Sequence, residues 1–192
     1  MPLKNELGEN ISTAVNILRK TYENLNLLFS EMDVIAEKEG FVSLTPKFLR
    51  WKSDSATNGW LTSNFIKLYQ IENQTSILNL PEVREGYVYC VEVDLESDKG
   101  YPVISLAKLS YDFSQWTRVP SVSDHWIFND IFHNYNNFII DEKDSVWTSK
   151  PNKKSVKKYW GLQSAIGMGY PLVHVSSSES IRTEIFDRLL TI

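Results

Sequence analysis

The sequence predicts an α+β domain: a mostly antiparallel sheet of about five or six strands, with a long N-terminal helix and a C-terminal helix packed on it. Three observations carry that expectation. Ile11, Val15, Leu18, Tyr22, Leu25, Phe29, Met32 and Ala36 recur in steps of four and three, which is one stripe of a helix. Tyr87, Tyr89, Val91, Val93 and Leu95 recur in steps of two, turn through Glu96 to Gly100, and are answered by the run Tyr101 to Leu109. Elsewhere short β-branched and aromatic runs are punctuated by turn residues, with no internal repeat and no shift in composition, so residues 1–192 read as a single globular domain.

The N-terminal helix is expected over residues 11–39, with Asn10 or Ser12 accepting a backbone N–H bond at its start and Gly40 ending it in a left-handed conformation. Leu28 and Ile35 widen the apolar face beyond a two-stranded seam, which favours packing on a sheet, while the heptad-like stripe leaves a homodimer through this helix open. Strands are expected over Phe41 to Trp51 and Asn64 to Ile71. Pro46, which has no N–H to donate, places the first at an edge or a bulge.

In the central hairpin the second face, Val88, Cys90, Glu92 and Asp94, turns from apolar to acidic, so its far end is expected to be wet. Residues 123–134 should form a short aromatic helix capped by Ser123 or Asp124. A small hairpin is expected to pair 138–140 with 145–148 across Asp141 to Asp144. The apolar run Pro171 to Val175 reads as a last strand. Ile181, Ile185 and Leu189 mark a final helix, with Ser176 and Glu179 at capping-box spacing.

Composition narrows the function classes. With 42% hydrophobic and 23% charged residues, 8 Gly and 7 Pro, the chain is neither disordered nor fibrous. Its one cysteine, Cys90, cannot close an internal disulfide, and its strand setting makes it core rather than nucleophile, so a reducing cytoplasm is expected. The start Met1 to Glu6 has no signal-peptide pattern, and no apolar run suits a membrane span.

Charge is uneven. Residues 1–144 carry 13 basic and 21 acidic side chains, whereas residues 145–178 hold Lys150, Lys153, Lys154, Lys157 and Lys158 with no acid. These lysines lie between Trp147 and Trp160, and lysines interleaved with aromatics suit a nucleic-acid backbone with stacked bases. The plainer expectation is a solvated segment whose lysines face the acidic hairpin Glu92, Asp94, Glu96 and Asp98. Glu92, Asp94 and Glu96 could instead hold a divalent cation, with Lys99 beside them, although the Glu-x-Lys strand pattern of metal-dependent nucleases is not met. His125, Asp130 and His133 could approach one another on the short helix without matching a zinc signature. The serines Ser176 to Ser178 lack the glycines and lysine of a phosphate loop. No cofactor is therefore expected. The chain reads as a non-catalytic module that binds a macromolecule, another protein ahead of nucleic acid at a net charge of −4, with a metal-dependent hydrolase or nuclease as the alternative.

Overall fold

The computed structural model describes residues 4–192, and for residues 4–7 the backbone alone; Met1 to Leu3, where the leader reading begins, lie outside the described residues. Helix α1, Lys4–Lys38, runs seven residues further toward the N-terminus than its stripe required, and it ends at Gly40, whose φ of 77° is the left-handed stop expected there. Ten strands follow: β1 (Phe41–Ser43), β2 (Leu49–Arg50), β3 (Asn64–Ile71), β4 (Ser76–Ile77), β5 (Leu80–Arg84), β6 (Tyr87–Asp94), β7 (Val103–Tyr111), β8 (Phe138–Lys143), β9 (Val146–Pro151) and β10 (Leu162–Pro171). Eight build one sheet in the order β1-β3-β6-β7-β10-β9-β8, with β2 also pairing with β3, and every pairing is antiparallel. The class is thus α+β as expected, with a larger sheet. Helix α2, His125–His133, and a C-terminal helix over residues 178–191 complete the chain.

Alternation sorts the central strands onto two covered faces. Phe65, Tyr69, Tyr89, Val91, Val93, Ile104 and Leu106 pack under α1 and the C-terminal helix, meeting Leu25, Phe29, Met32, Ala36, Ile185 and Phe186. Ile66, Leu68, Val88, Cys90, Ala107 and Leu109 pack on the other side with Ile127, Phe128 and Ile131 of α2 and with Tyr159. A sheet buried on both faces explains why β3 and β6 read as near-continuous apolar runs.

Pro46 acts as foreseen. The expected strand Phe41 to Trp51 breaks into β1 and β2, both on the sheet edge along β3; Leu44 still donates to the Leu68 carbonyl, and the chain beyond it loops out opposite Lys67 until Leu49 pairs with Ile66.

Several elements differ from expectation for local reasons. The strand expected at Pro171 to Val175 is a 3-10 turn, Leu172–His174, and the true last strand is β10, whose alternation is hidden by Gln163, Ser164, Gly167 and Gly169. Gly167 is there because a β-carbon would fall 2.3 Å from the Trp147 ring and 2.4 Å from the Leu106 carbonyl oxygen. The hairpin of β8 and β9 turns not at Asp141 to Asp144 but on Asp144 and Ser145, both left-handed at φ 53° and 67°, which lengthens the two strands. Ser177 rather than Ser176 caps the last helix, accepting from the Ser180 amide while the Ser180 hydroxyl answers the Ser177 amide. Asp124 stands at the start of α2 without its side chain capping it; its carboxylate accepts instead from the Ser121 amide at 2.7 Å, one turn back, and from both terminal Arg118 nitrogens. Among the described residues no helix is long and apolar enough to cross a membrane.

The Gly167 contacts give a direct check. Gly167→Ala must displace either the Trp147 ring or the Leu106 carbonyl and is expected to cost about 1–3 kcal/mol in urea unfolding, the range for overfilling a packed site. Gly169→Ala, where the nearest atom would lie at 3.4 Å, serves as the near-neutral comparison.

Candidate functional site

Two polar constellations flank the central pair β3 and β6, one on each face. On the α2 side, Glu92 is fully buried, not wet as its hairpin position suggested, because α2 lies over it. Its Oε1 accepts from Asn64 Nδ2 at 2.9 Å, Asn129 Nδ2 at 3.2 Å and His133 Nε2 at 2.9 Å, while its buried Oε2 has no partner. Because Asn64 spends its amide N–H on Glu92, its oxygen accepts from His125, whose Nε2 lies 2.7 Å away. Burial alone would lower the His133 pKa, but the hydrogen bond and charge of Glu92, with Asp94 and Asp98 adding to them, raise it above the ordinary 6.5. Burial pulls His125 the other way, to about 4, so it is neutral at physiological pH.

These partnerships separate the residues that the sequence grouped. Asp130 turns from the histidines to accept from the Tyr159 hydroxyl and from Asn134. Asp94 accepts from the Glu96 amide rather than facing a shared ion with Glu92. Among the described residues no three His, Cys, Asp or Glu side chains come together as a metal site, so Glu92, Asp94 and Glu96 are not assembled into one. Cys90 is buried in the same face, and burial pushes its thiol well above the usual value.

The basic segment is likewise redistributed. Lys150 lies on β9, and Lys153, Lys154, Lys157 and Lys158 lie on the turns that lead to β10. The expected pairing with the acidic hairpin does not occur: Lys158 sits 3.8 Å from Asp130 and over the Trp126 and Tyr159 rings, and the other four have no carboxylate within ion-pair distance among the described residues. Trp147 packs edge-on against Phe132, and Trp160 packs on Trp116 beneath the Arg118 guanidinium, so both rings are part of the fold's packing.

On the α1 face the looped-out edge leaves a groove. One compartment, about 250 Å³, is lined by Tyr22, Leu25, Phe29, Phe48, Thr62 and Phe65. It shares Asn26, Phe29, Phe48 and Arg50 with a second of about 370 Å³, which adds Asp33, Lys47 and Lys67. Lys67 is buried in a strand of apolar neighbours because Asp33 of α1 meets it at 2.8 Å, and the Tyr69 hydroxyl donates to the same carboxylate at 2.9 Å. Two exposed tryptophans, Trp51 at 44% and Trp60 at 73%, stand on the loop joining Arg50 to Thr62. Sequence reasoning passed over this groove; a lysine at the centre of the apolar strand Asn64–Ile71 was its one visible sign. An apolar trough with a few convergent charged groups is the usual form of a binding site. No protein-family model matches the chain, and neither a curated protein nor a solved structure does.

The two histidines make the α2 face titrate in opposite directions. A raised His133 stabilises the fold fully below pH 6.5, and that contribution fades as pH climbs through the raised value; a neutral buried His125 costs stability as pH falls from 6.5 toward 4. In urea unfolding followed against pH, His133→Gln is expected to flatten the alkaline decline and His125→Gln the acidic one, each leaving the other limb in place.

Proposed function

We propose that the chain is a non-catalytic module that binds another protein in the groove between α1 and the β1, β2 and β3 edge. The observation that carries the reading is the groove itself: an apolar compartment opening into a charged one, with Trp51 and Trp60 beside it. Tryptophan and arginine are the residue types that most often anchor protein interfaces, and Arg50 lines both compartments. The stripe of α1 supports the same reading, because Ile11 and Val15 stand 61% and 48% exposed in line with Tyr22 of the groove. A homodimer that covers this part of α1 is one form such binding could take. A buried, unactivated Cys90 suits a reducing compartment such as the cytoplasm.

Selection of random twelve-residue peptides displayed on phage against the whole chain tests the reading. Enriched peptides are expected to bind the wild type and to lose binding at least tenfold with Asn26→Trp, an exposed α1 position that lines both compartments and whose enlargement fills them. Peptides that bind both proteins equally would move the binding surface elsewhere, and a selection that enriches nothing would remove the reading.

A second reading rests on four lysines that have no ion pair among the described residues. Lys150, Lys153, Lys154 and Lys157 could neutralise phosphates of a single-stranded nucleic acid. An oligonucleotide titrated at rising salt is then expected to lose affinity steeply, and Lys153→Glu with Lys154→Glu to remove most of it. Binding unaffected by either change would exclude this surface.

A further inference from the structure

Resting on the reading of the groove as a protein-binding site, we propose that its occupant is a segment of a partner protein in which a large apolar side chain lies within a few residues of an acidic one. The smaller compartment is walled by five apolar or aromatic side chains and closed at one side by Thr62, whose carbonyl oxygen accepts from the Tyr22 hydroxyl at 2.9 Å. It offers a side chain desolvation and ring contacts and almost nothing to hydrogen-bond, so it selects a leucine, phenylalanine or similar group.

The larger compartment selects charge. Three cations line it, Lys47, Arg50 and Lys67, against one carboxylate, Asp33. Asp33 is already occupied by the Lys67 ammonium and the Tyr69 hydroxyl, so Lys67 brings no spare charge to a ligand. Lys47 and Arg50 do: both are exposed, and among the described residues neither has a carboxylate within ion-pair distance. Arg50 stands 6.0 Å over the Phe48 ring, at the boundary of the two compartments, where its planar fork can take a carboxylate in two parallel bonds. The spacing that results, an anion beside an apolar anchor, is the chemistry the occupant must carry.

The rest of the molecule sharpens the choice. With a net charge of −4 the protein repels an acidic partner in general, so a local pair of cations at this groove orients the partner as well as holding it. A small amphiphilic carboxylate would satisfy the two compartments but not the surroundings. Trp51 and Trp60 on the adjoining loop, and Val15 and Ile11 further along α1, extend the apolar surface well past one small molecule and favour a chain that runs on from the groove.

The peptides selected on the whole chain provide the probe, resynthesised with a fluorescent label beside versions in which every Asp and Glu is replaced by Asn and Gln. Fluorescence polarisation is expected to show at least tenfold weaker binding for the neutralised versions. Lys47→Glu with Arg50→Glu, two exposed positions whose change leaves the core intact, is expected to weaken the acidic peptides as much and the neutralised ones little. Binding of the acidic peptides should also fall as salt rises. If the neutralised peptides bind the wild type as tightly and are lost on Asn26→Trp, the acidic requirement is overturned while the groove remains a protein-binding site. If no peptide is selected, both fall together. Decanoate that displaces the peptides with equal affinity would overturn the protein segment in favour of a small amphiphile.

Discussion

The structure turns on one constraint, a central strand pair buried on both faces that nevertheless carries a charge on each. Lys67 on β3 faces α1 and Glu92 on β6 faces α2, and neither is left to solvent. An unpaired buried charge costs several kcal/mol, so each must be met by the element that covers it. Helix α1 supplies Asp33 to Lys67, and α2 supplies His133 and Asn129 to Glu92. The apolar contacts would tolerate small slides of either helix along the sheet, whereas a buried hydrogen-bonded pair at 2.8 or 2.9 Å would not. The two pairs therefore fix where each helix lies, and with that the shape of everything beside it.

The groove follows from that placement together with Pro46. Leu44 still donates to the Leu68 carbonyl at 2.8 Å, but Pro46 has no N–H to carry the ladder on, and the chain leaves β3 between Leu44 and Leu49, opposite the very residue whose ammonium α1 has come to meet. The loop carries Lys47 and Phe48 outward, α1 passes over Lys67 with Asn26 and Asp33, and the space between is the groove. A complete edge strand there would have filled it. The exposed cations at its mouth are thus a product of the same break that leaves the apolar compartment open.

This geometry also explains what could be read from sequence and what could not. Periodicity alone located α1 and the β6 and β7 hairpin, because their apolar positions repeat without interruption. It failed at β10, where Gly167 answers to a ring on the neighbouring strand, a contact with no local signature. It also misjudged Glu92: alternation gave the right face, but a carboxylate near a turn reads as solvated unless a remote helix is known to cover it. Grouping residues by proximity in the chain erred for the same reason. His125, Asp130 and His133 share one short helix and yet find three different partners, on β3, near β10 and on β6.

The contrast between the two charged pairs bears on which face is free to bind. On the α2 face the pair is roofed by α2, the Asn64 and Asn129 amides both donate to Glu92, and a ligand could reach Glu92 only by displacing the helix. On the α1 face Lys67 is just as buried, but its partner Asp33 remains 41% exposed at the wall of an open trough, and among the described residues Lys47 and Arg50 beside it have no carboxylate partner. One pair closes its side of the sheet, and the other stands at the wall of an open groove. Binding in the groove would then leave the sheet and both helices where they are, as expected of a surface that is assembled before its partner arrives.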